Sequence, residues 1–312
     1  DHEKALKLQP GNAIVGHSLA GIAIQENQLD EARKYYQQVR EKHNDPLETL
    51  MAMYDLEVLA KDKKVARQLV ETASSKYPKA PRPATIIASA YTRAGLPDKA
   101  IELSSEAASA NPDDPELLAA RGAAFIDKGE IPNALANFNR IVKLRPDWVE
   151  AHVKLAMVQD ATGNFTGLKS SLANALRLDP KHRRARLMLA SQNVRDKKFE
   201  EALTTATLLE QDFPNGIDAH ILQSKVLMQL KRESEAVAAL ERAQKVAPKS
   251  EIPVIEMAKL RFFAGQNDLG FKALKSWLQA NPNNIRANAF LAESYLAFKK
   301  NDEALEAYKK IV

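Results

Sequence analysis

Apolar and polar residues follow one another along this chain in a pattern that recurs every 34 residues. Prolines mark the period most plainly, and they are Pro10, Pro78, Pro112, Pro146, Pro180, Pro214, Pro248 and Pro282. From Pro78 onward these prolines stand 34 residues apart, and Pro10 precedes Pro78 by twice that distance. If Ala13 is repeat position 1, the prolines fall at position 32. The frame continues without insertion or deletion, so internal repetition dominates the architecture.

Two further positions carry small side chains in almost every repeat. Position 8 holds Ala20, Tyr54, Ala88, Gly122, Ala156, Ala190, Ser224, Ala258 and Ala292. Position 20 holds Ala32, Ala66, Ala100, Ala134, Leu168, Ala202, Ala236, Gly270 and Ala304. Small residues at fixed points of two helices let the helix axes approach closely, so positions 8 and 20 predict a tightly packed helix pair.

The spacing of the other apolar positions is helical. Positions 4, 7, 8 and 11 share one face of a first helix, and positions 20, 24 and 27 share one face of a second. Between them, Gly95, Gly129, Gly163 and Gly265, or Asn and Lys in other repeats, predict the left-handed conformation that ends the first helix. Proline at position 32 closes the second helix. One such hairpin cannot bury its apolar face alone, so neighbouring repeats must stack.

This pattern resembles that of the tetratricopeptide repeat family. The segments LLAARGAAFIDKGEIPNALANFNRIVKLRP (117–146) and ANAFLAESYLAFKKNDEALEAYKKIV (287–312) carry the resemblance most clearly. It implies an all-α, right-handed superhelical solenoid of antiparallel helix pairs. The departures from the pattern are Tyr54, Arg121, Leu168, Gln223, Gly270 and Trp277. The repeat at 47–80 is the least regular, and we expect a local distortion of the stack there.

The repeat frame predicts the organisation of the chain. Residues 1–12 fit the end of a preceding repeat, residues 13–284 form eight complete repeats, and residues 285–312 form a partial ninth. We expect a single continuous solenoid that is a fragment of a longer protein. Terminal repeats without a polar capping helix also suggest self-association as one hypothesis.

The outer face of the first helices is where the resemblance places a ligand. Positions 2, 5, 9, 12 and 13, with position 6 beside them, lie opposite the face that packs on the second helix. In the family this outer face lines a concave groove that binds peptides or protein segments. The candidate ligand residues are Arg82, Arg93, Lys154, Arg184, Arg195, Lys225, Ile221, Met228, Ile255 and Phe262.

Two alternatives compete with ligand binding at these residues. The charged residues of adjacent repeats can simply pair with one another, and the apolar residues near the C-terminus, Phe263 and Phe290 above all, can pack between repeats. Basic and acidic residues are nearly equal in number on the outer face, and the net charge of the chain is only +5. A basic stripe is therefore missing, and we expect no nucleic-acid ligand.

The chemistry-bearing residues do not form a catalytic or metal-binding motif. The chain has no cysteine, so disulfides and thiolate catalysis are excluded. No HExxH pair, P-loop, GxSxG or Rossmann fingerprint occurs. His152 and His220 both occupy position 4, where we expect them to pack against the second helix, and Trp277 is expected in the core. The sequence therefore predicts a non-enzymatic protein that needs no cofactor or metal.

The leading hypothesis is a protein–protein interaction scaffold without a membrane span. The length and regularity of the array resemble bacterial periplasmic or lipid-anchored tetratricopeptide repeat proteins of exopolysaccharide export systems. This favours a role in a secretion assembly of the bacterial envelope and a periplasmic over a cytoplasmic location. The alternative is the specificity or assembly arm of an enzyme, such as a glycosyltransferase, whose catalytic domain lies outside this sequence.

Overall fold

The computed structural model describes residues 12–77 and 81–311, and within them the chain forms eighteen α-helices and no β-strand. In chain order these are α1 (Ala13–Gln25), α2 (Leu29–Lys42), α3 (Leu47–Leu59), α4 (Lys63–Lys76), α5 (Pro81–Arg93), α6 (Pro97–Ala107), α7 (Pro115–Lys128), α8 (Ile131–Leu144), α9 (Val149–Ala161), α10 (Phe165–Leu178), α11 (Arg183–Arg195), α12 (Phe199–Asp212), α13 (Ile217–Gln229), α14 (Glu233–Val246), α15 (Glu251–Phe263), α16 (Asn267–Ala280), α17 (Ile285–Ala297) and α18 (Asn301–Lys309). Odd-numbered helices are the first helices of the repeats and even-numbered helices the second. The predicted all-α repeat fold is confirmed.

The turn between the two helices of a repeat has the same backbone in every described pair. Gly95, Gly129, Gly163 and Gly265 have φ between 71° and 81°. Asn27, Lys61, Lys197, Lys231 and Lys299 take the same place elsewhere, with φ between 58° and 62°. This left-handed residue ends the first helix and reverses the chain, as the sequence predicted.

Small side chains at positions 8 and 20 lie where the two helices of a repeat meet. Ala88 on α5 and Ala100 on α6 are fully buried, as are their equivalents in most repeats. His152 and His220, predicted to pack, are buried as well, and Nε2 of His152 lies 2.9 Å from the carbonyl oxygen of Pro146. The packing face of the first helix is thus the one that the periodicity indicated.

The irregular junction lies just before the repeat at 47–80. Asn44 and Asp45 have φ of 55° and 54°. Two consecutive left-handed residues thus occupy positions 32 and 33, and position 32 holds proline in the other repeats. Tyr77 at the end of the same repeat donates a hydrogen bond from its hydroxyl to the carbonyl oxygen of Asp45, 2.8 Å away. The expected local distortion is therefore a rearranged turn, held by side chains from both neighbouring second helices.

The chain divides into two compact units between Ser171 and Leu172, within α10. Each unit contains its own clusters of buried apolar side chains, the largest in the first unit being built around Leu50, Tyr54 and Ile87. In the second unit, one cluster surrounds Leu240 and another contains Phe271 and Leu291. The single continuous solenoid and its repeat count stay predictions.

The segment expected to end a preceding repeat, residues 1–12, lies outside the described residues except for Asn12. The side chain of Asn12 caps α1 by accepting a hydrogen bond from the backbone N–H of Val15 at 3.2 Å. None of the eighteen described helices combines the length and the apolar character that crossing a bilayer requires.

Candidate ligand-binding face

The outer face of the first helices is accessible at some of its predicted positions and packed at others. Position 13 is exposed in all nine described first helices, and position 2 is exposed in all but α13. Position 5 is buried or half-buried throughout. The reason is that consecutive first helices contact one another, as α5 and α7 do, and position 5 lies toward the neighbouring helix. The ends of each first helix therefore offer accessible side chains most consistently, and position 9 is exposed in α3, α11, α13, α15 and α17.

In the first unit the basic candidates have different surroundings. Arg82 at the start of α5 is exposed and has no ion-pair partner among the described residues. Arg93 at the end of α5 donates a hydrogen bond to Oδ1 of Asp55 on α3 at 2.7 Å, and its guanidinium carbon lies 4.9 Å from the centre of the Tyr54 ring. Lys154 on α9 is half-buried.

In the second unit Arg184 and Arg195 are exposed at the two ends of α11, and Arg195 has an interaction partner. Lys225 on α13 pairs with Glu256 on α15 at 3.7 Å. A similar pair joins Arg286 on α17 to Glu251 on α15 at 3.3 Å. These charged residues of adjacent repeats thus pair with one another, which is the alternative to ligand binding stated above. Exposed pairs of this kind contribute only about 0–1 kcal/mol each to the free energy of unfolding.

The apolar candidates are mostly part of the packed core. Ile255 is buried, and Phe262 lies with its ring 4.9 Å from that of Phe271 and 5.2 Å from that of Phe298. Ile221 and Met228 are half-buried against the cluster around Leu240. Ile255 is thus covered by neighbouring side chains, whereas Ile221, Met228 and Phe262 pack on one side, stay partly accessible and remain candidates for ligand contact.

Gly270 explains the position of Phe262. A Cβ atom on Gly270 would lie 2.5 Å from Cε1 of the Phe262 ring, so alanine, the usual residue at position 20, does not fit there. The phenylalanine at position 12 and the glycine at position 20 of this repeat form one packing unit. Glycine in place of alanine was the signal in the sequence that Phe262 points inward.

Phe263 does not pack between repeats, unlike in the alternative stated above. It stands at position 13, the last residue of α15, and 85% of its surface is exposed. Phe290 does pack, against the cluster that contains Phe271. The side chain of position 13 points to solvent in every described repeat, so an apolar residue there has no neighbouring helix to cover it.

Sequence reasoning missed a basic cavity in the first unit. Lys61, Lys63 and Arg67 join Arg93 around a cavity of about 340 Å³ beside Tyr54. Tyr54 replaces the small residue of position 8, and that departure was the available signal. Among the described residues, no group of three or more His, Asp or Glu side chains is placed to hold a metal ion.

Comparison with known families identifies the repeat. The family model described as tetratricopeptide repeat matches residues 217–250, which contain α13, α14 and the turn between them. The same helix lengths, turn and spacing recur in the other described repeats. The chain has the tetratricopeptide repeat fold, and its repeat at 217–250 matches the family.

Solved structures share the tetratricopeptide repeat fold with this chain at low sequence identity. A tetratricopeptide repeat protein from Parabacteroides merdae superposes with a TM-score of 0.58 and 17% identity, over 78% of this chain and 97% of that one. Human IFIT1, solved as a dimer with PPP-AAAA, superposes with a TM-score of 0.54 and 15% identity, over 99% of this chain and 79% of that one. At these identities the likeness concerns the fold alone.

Among curated proteins, DnaJ homolog subfamily C member 3 of Rattus norvegicus is 24% identical over 200 residues, and the Homo sapiens protein of that name matches equally. The match covers 63% of this tetratricopeptide repeat chain and 35% of each relative, so the chain spans about a third of their length. The fold is, in general, that of a scaffold for protein–protein interactions, and such scaffolds are generally not enzymes.

Proposed function

We propose that the chain is a non-enzymatic scaffold that holds a peptide or protein segment in the concave groove lined by the outer face of its first helices. The accessible ends of these helices, at positions 2 and 13, provide the first contacts. Arg82 and Arg93 supply basic side chains in the first unit, and Arg184 and Arg195 supply them in the second. The half-buried candidates Lys154, Ile221, Met228 and Phe262 form the floor beneath.

The observation that carries this proposal is the exposure of Phe263. A phenylalanine that is 85% exposed at the end of α15 leaves most of its apolar surface in water. Leu296, near the end of the adjacent first helix α17, is also 48% exposed. Apolar side chains on a face that also carries charges are typical of an interaction surface, because a partner recovers the free energy of covering them.

The charged residues around this surface select among partners. Arg184 is exposed and has no ion pair in the described part of the chain, so a carboxylate of a partner can approach it without displacing one. Basic side chains at the accessible ends of α5 and α11 favour a partner with acidic residues, and such complementarity affects the rate of association and specificity more than affinity.

Site-specific photo-crosslinking tests the proposal. A p-benzoylphenylalanine in place of Phe263 should crosslink a partner in cells of the native organism. The matched control is the same photo-crosslinker in place of Leu208, which is also apolar and is 44% exposed but lies on the second helix α12. Crosslinks from both positions to the same proteins would contradict groove binding.

Substitutions then separate the apolar from the basic contacts. Phe263→Ser should weaken binding of the crosslinked partner, with no loss of melting temperature because the side chain packs on nothing. Reversing Arg184 and Arg195 to Glu should weaken binding of an acidic partner and lower its association rate. An unchanged affinity in both variants would overturn the proposal.

The setting of the scaffold is a separate proposal. A role in a bacterial envelope or exopolysaccharide secretion assembly, self-association and an arm of a larger enzyme stay predictions that the identity of the crosslinked partner tests. A role in a secretion assembly requires the exposed outer face, whereas self-association through the terminal repeats does not.

A further inference from the structure

We propose that the cavity beside Tyr54 is a second binding site, which takes a carboxylate attached to an apolar side chain of a partner's peptide segment. The cavity lies between the end of α3, the beginning of α4 and the end of α5, and we call it the Tyr54 cavity. Its volume is about 340 Å³, which suits one or two residues of a peptide. Of the residues that line it, Val58 at position 12 and Arg93 at position 13 also belong to the outer face.

The charge of the Tyr54 cavity is positive. Lys61, Lys63 and Arg67 line it, and none of the three has an ion-pair partner in the described part of the chain. The nearby Asp62 is engaged in capping α4, because its Oδ1 accepts hydrogen bonds from the backbone N–H groups of Lys64 and Val65 at 3.1 and 3.0 Å. The first turn of α4 contains no further acidic residue after this N-cap.

Arg93 is held by Asp55 but can still donate hydrogen bonds to an anion in the cavity. Its Nη1 donates to Asp55 at 2.7 Å, and both side chains are more than half exposed. A guanidinium has five N–H donors, so this bond leaves most of them available to a second carboxylate. Because an exposed pair of this kind is weak, Asp55 also gives way at little cost.

The walls of the Tyr54 cavity are apolar as well as basic. Val58 at the end of α3 is half-exposed, and Ala66 and Ala94 line the cavity on α4 and after α5. A bare phosphate gains nothing from such walls. A ligand that has a carboxylate next to an aliphatic or aromatic group uses both kinds of surface.

Tyr54 supplies an independent observation that points to a ligand. The side chain is fully buried, it lines the cavity, and its hydroxyl has no hydrogen-bond partner. An unpaired buried hydroxyl costs about 1–3 kcal/mol, a cost that the small residues at this position in other repeats avoid. Burial raises the pKa of Tyr54, so at neutral pH the hydroxyl keeps its proton. The hydroxyl is closed to water in the free protein, so it donates to a carboxylate only when a ligand shifts the side chains around it.

The carboxylate has two sources in a peptide, namely the C-terminal α-carboxylate and the side chain of Asp or Glu. Isothermal titration of the full chain with four synthetic peptides distinguishes them. The first pair is acetyl-Ser-Gly-Leu-Phe with a free C-terminal carboxylate and the same peptide as the amide. The second pair is acetyl-Ser-Gly-Glu-Phe-Ser amide and its Gln counterpart. We expect binding by the charged member of at least one pair and none by its neutral counterpart.

Variants locate the binding. Arg67→Gln and Arg93→Gln should each weaken the charged peptide about tenfold, the effect of one lost charge-assisted hydrogen bond. Tyr54→Phe should weaken it several-fold in a chain that remains folded. Lys64→Gln is the matched control, because Lys64 is an exposed basic residue on the same helix α4 as Arg67 and lies outside both the cavity and the outer face of the first helices.

Three results would overturn the proposal. They are failure of both charged peptides to bind, equal effects of Arg67→Gln and Lys64→Gln, and tighter binding of inorganic pyrophosphate or a triphosphate-bearing oligonucleotide than of either peptide. The groove proposal fails separately, since it depends on crosslinking at Phe263 in the other unit, whereas this one depends on Arg67 and Tyr54.

Discussion

Arg33 on α2 donates two hydrogen bonds to the carboxylate of Glu57 on α3, from Nε at 2.8 Å and from Nη2 at 2.9 Å. Glu57 is only 3% exposed, so the guanidinium satisfies a carboxylate that water does not reach. The hydrogen bond to Glu57 raises the pKa of Arg33 further, and the arginine stays charged throughout the usual pH range. The pair connects the second helix of one repeat to the first helix of the next.

Replacing Arg33 by Met should lower the free energy of unfolding by about 3 kcal/mol, because it leaves a buried carboxylate without a partner. Urea denaturation followed by circular dichroism measures the change. Lys34→Met is the control, since Lys34 pairs with Glu31 on the surface of the same helix and its loss should change the stability little. If Arg33→Met and Lys34→Met cost the same, the pair does not stabilise the junction. The double substitution Arg33→Met with Glu57→Met should recover most of the loss, because the buried charge is then gone.

Tyr54→Phe should raise the stability by about 1 kcal/mol, because it removes a buried hydroxyl that has no hydrogen-bond partner and keeps the ring. The melting temperature of the variant measures this. Tyr54→Ala should instead lower the stability by about 3–5 kcal/mol, since a fully buried aromatic side chain leaves a void. A destabilised Tyr54→Phe would mean that the hydroxyl has a partner in the free protein.

The helix pairs, their turns and their packing faces could be predicted because each depends on local chemistry that recurs. A proline at position 32 and a glycine, asparagine or lysine at the turn fix the backbone of their own repeat. Small residues at positions 8 and 20 set the approach of two helices that are adjacent in sequence. None of these inferences requires knowledge of how one repeat meets the next.

The side chains of the candidate site were harder to predict, because their surroundings come from neighbouring repeats. Position 5 packs against the next first helix, which no single repeat reveals, so Ile255 was expected at the surface and is buried. The pair of Arg33 and Glu57 and the cavity beside Tyr54 likewise combine residues of two repeats. The departures at Gly270 and Tyr54 were visible in the sequence, but what they accommodate depends on neighbouring side chains.

Substitutions at the turn should shift stability in opposite directions. Lys197 adopts a left-handed conformation with φ of 60°, which costs a side chain about 1 kcal/mol relative to glycine, so Lys197→Gly should stabilise the chain by up to that amount. Gly129 has φ of 81°, and Gly129→Ala should destabilise it by about 1 kcal/mol. Nothing lies near a Cβ at Gly129, so the cost is one of backbone conformation alone. Denaturation midpoints that moved in the same direction for both variants would contradict this account.

Asp45 should make the irregular junction sensitive to acid. Its carboxylate accepts a hydrogen bond from Arg40 and another from Lys76, the latter at 3.3 Å. The bond from Arg40, more than that from Lys76, lowers the pKa of Asp45 below the 3.8 of an ordinary Asp. The folded state therefore releases this proton more readily than the unfolded chain does. The resulting stabilisation is complete at neutral pH, and it disappears as the pH falls below about 4 and passes through the pKa of the folded state.

Asp45→Asn keeps the size of the side chain, and asparagine tolerates the left-handed backbone that this position requires, with φ of 54°. The variant should be less stable than the natural chain by about 1 kcal/mol at neutral pH, and the difference should shrink as the pH falls through the lowered pKa of Asp45 in the folded state. Urea denaturation of both chains at a series of pH values measures it. Asp147→Asn is the control, because Asp147 is exposed and should show almost no difference at any pH. A constant gap between Asp45→Asn and the natural chain across the series would mean that Asp45 stabilises the turn through its shape and not through its charge.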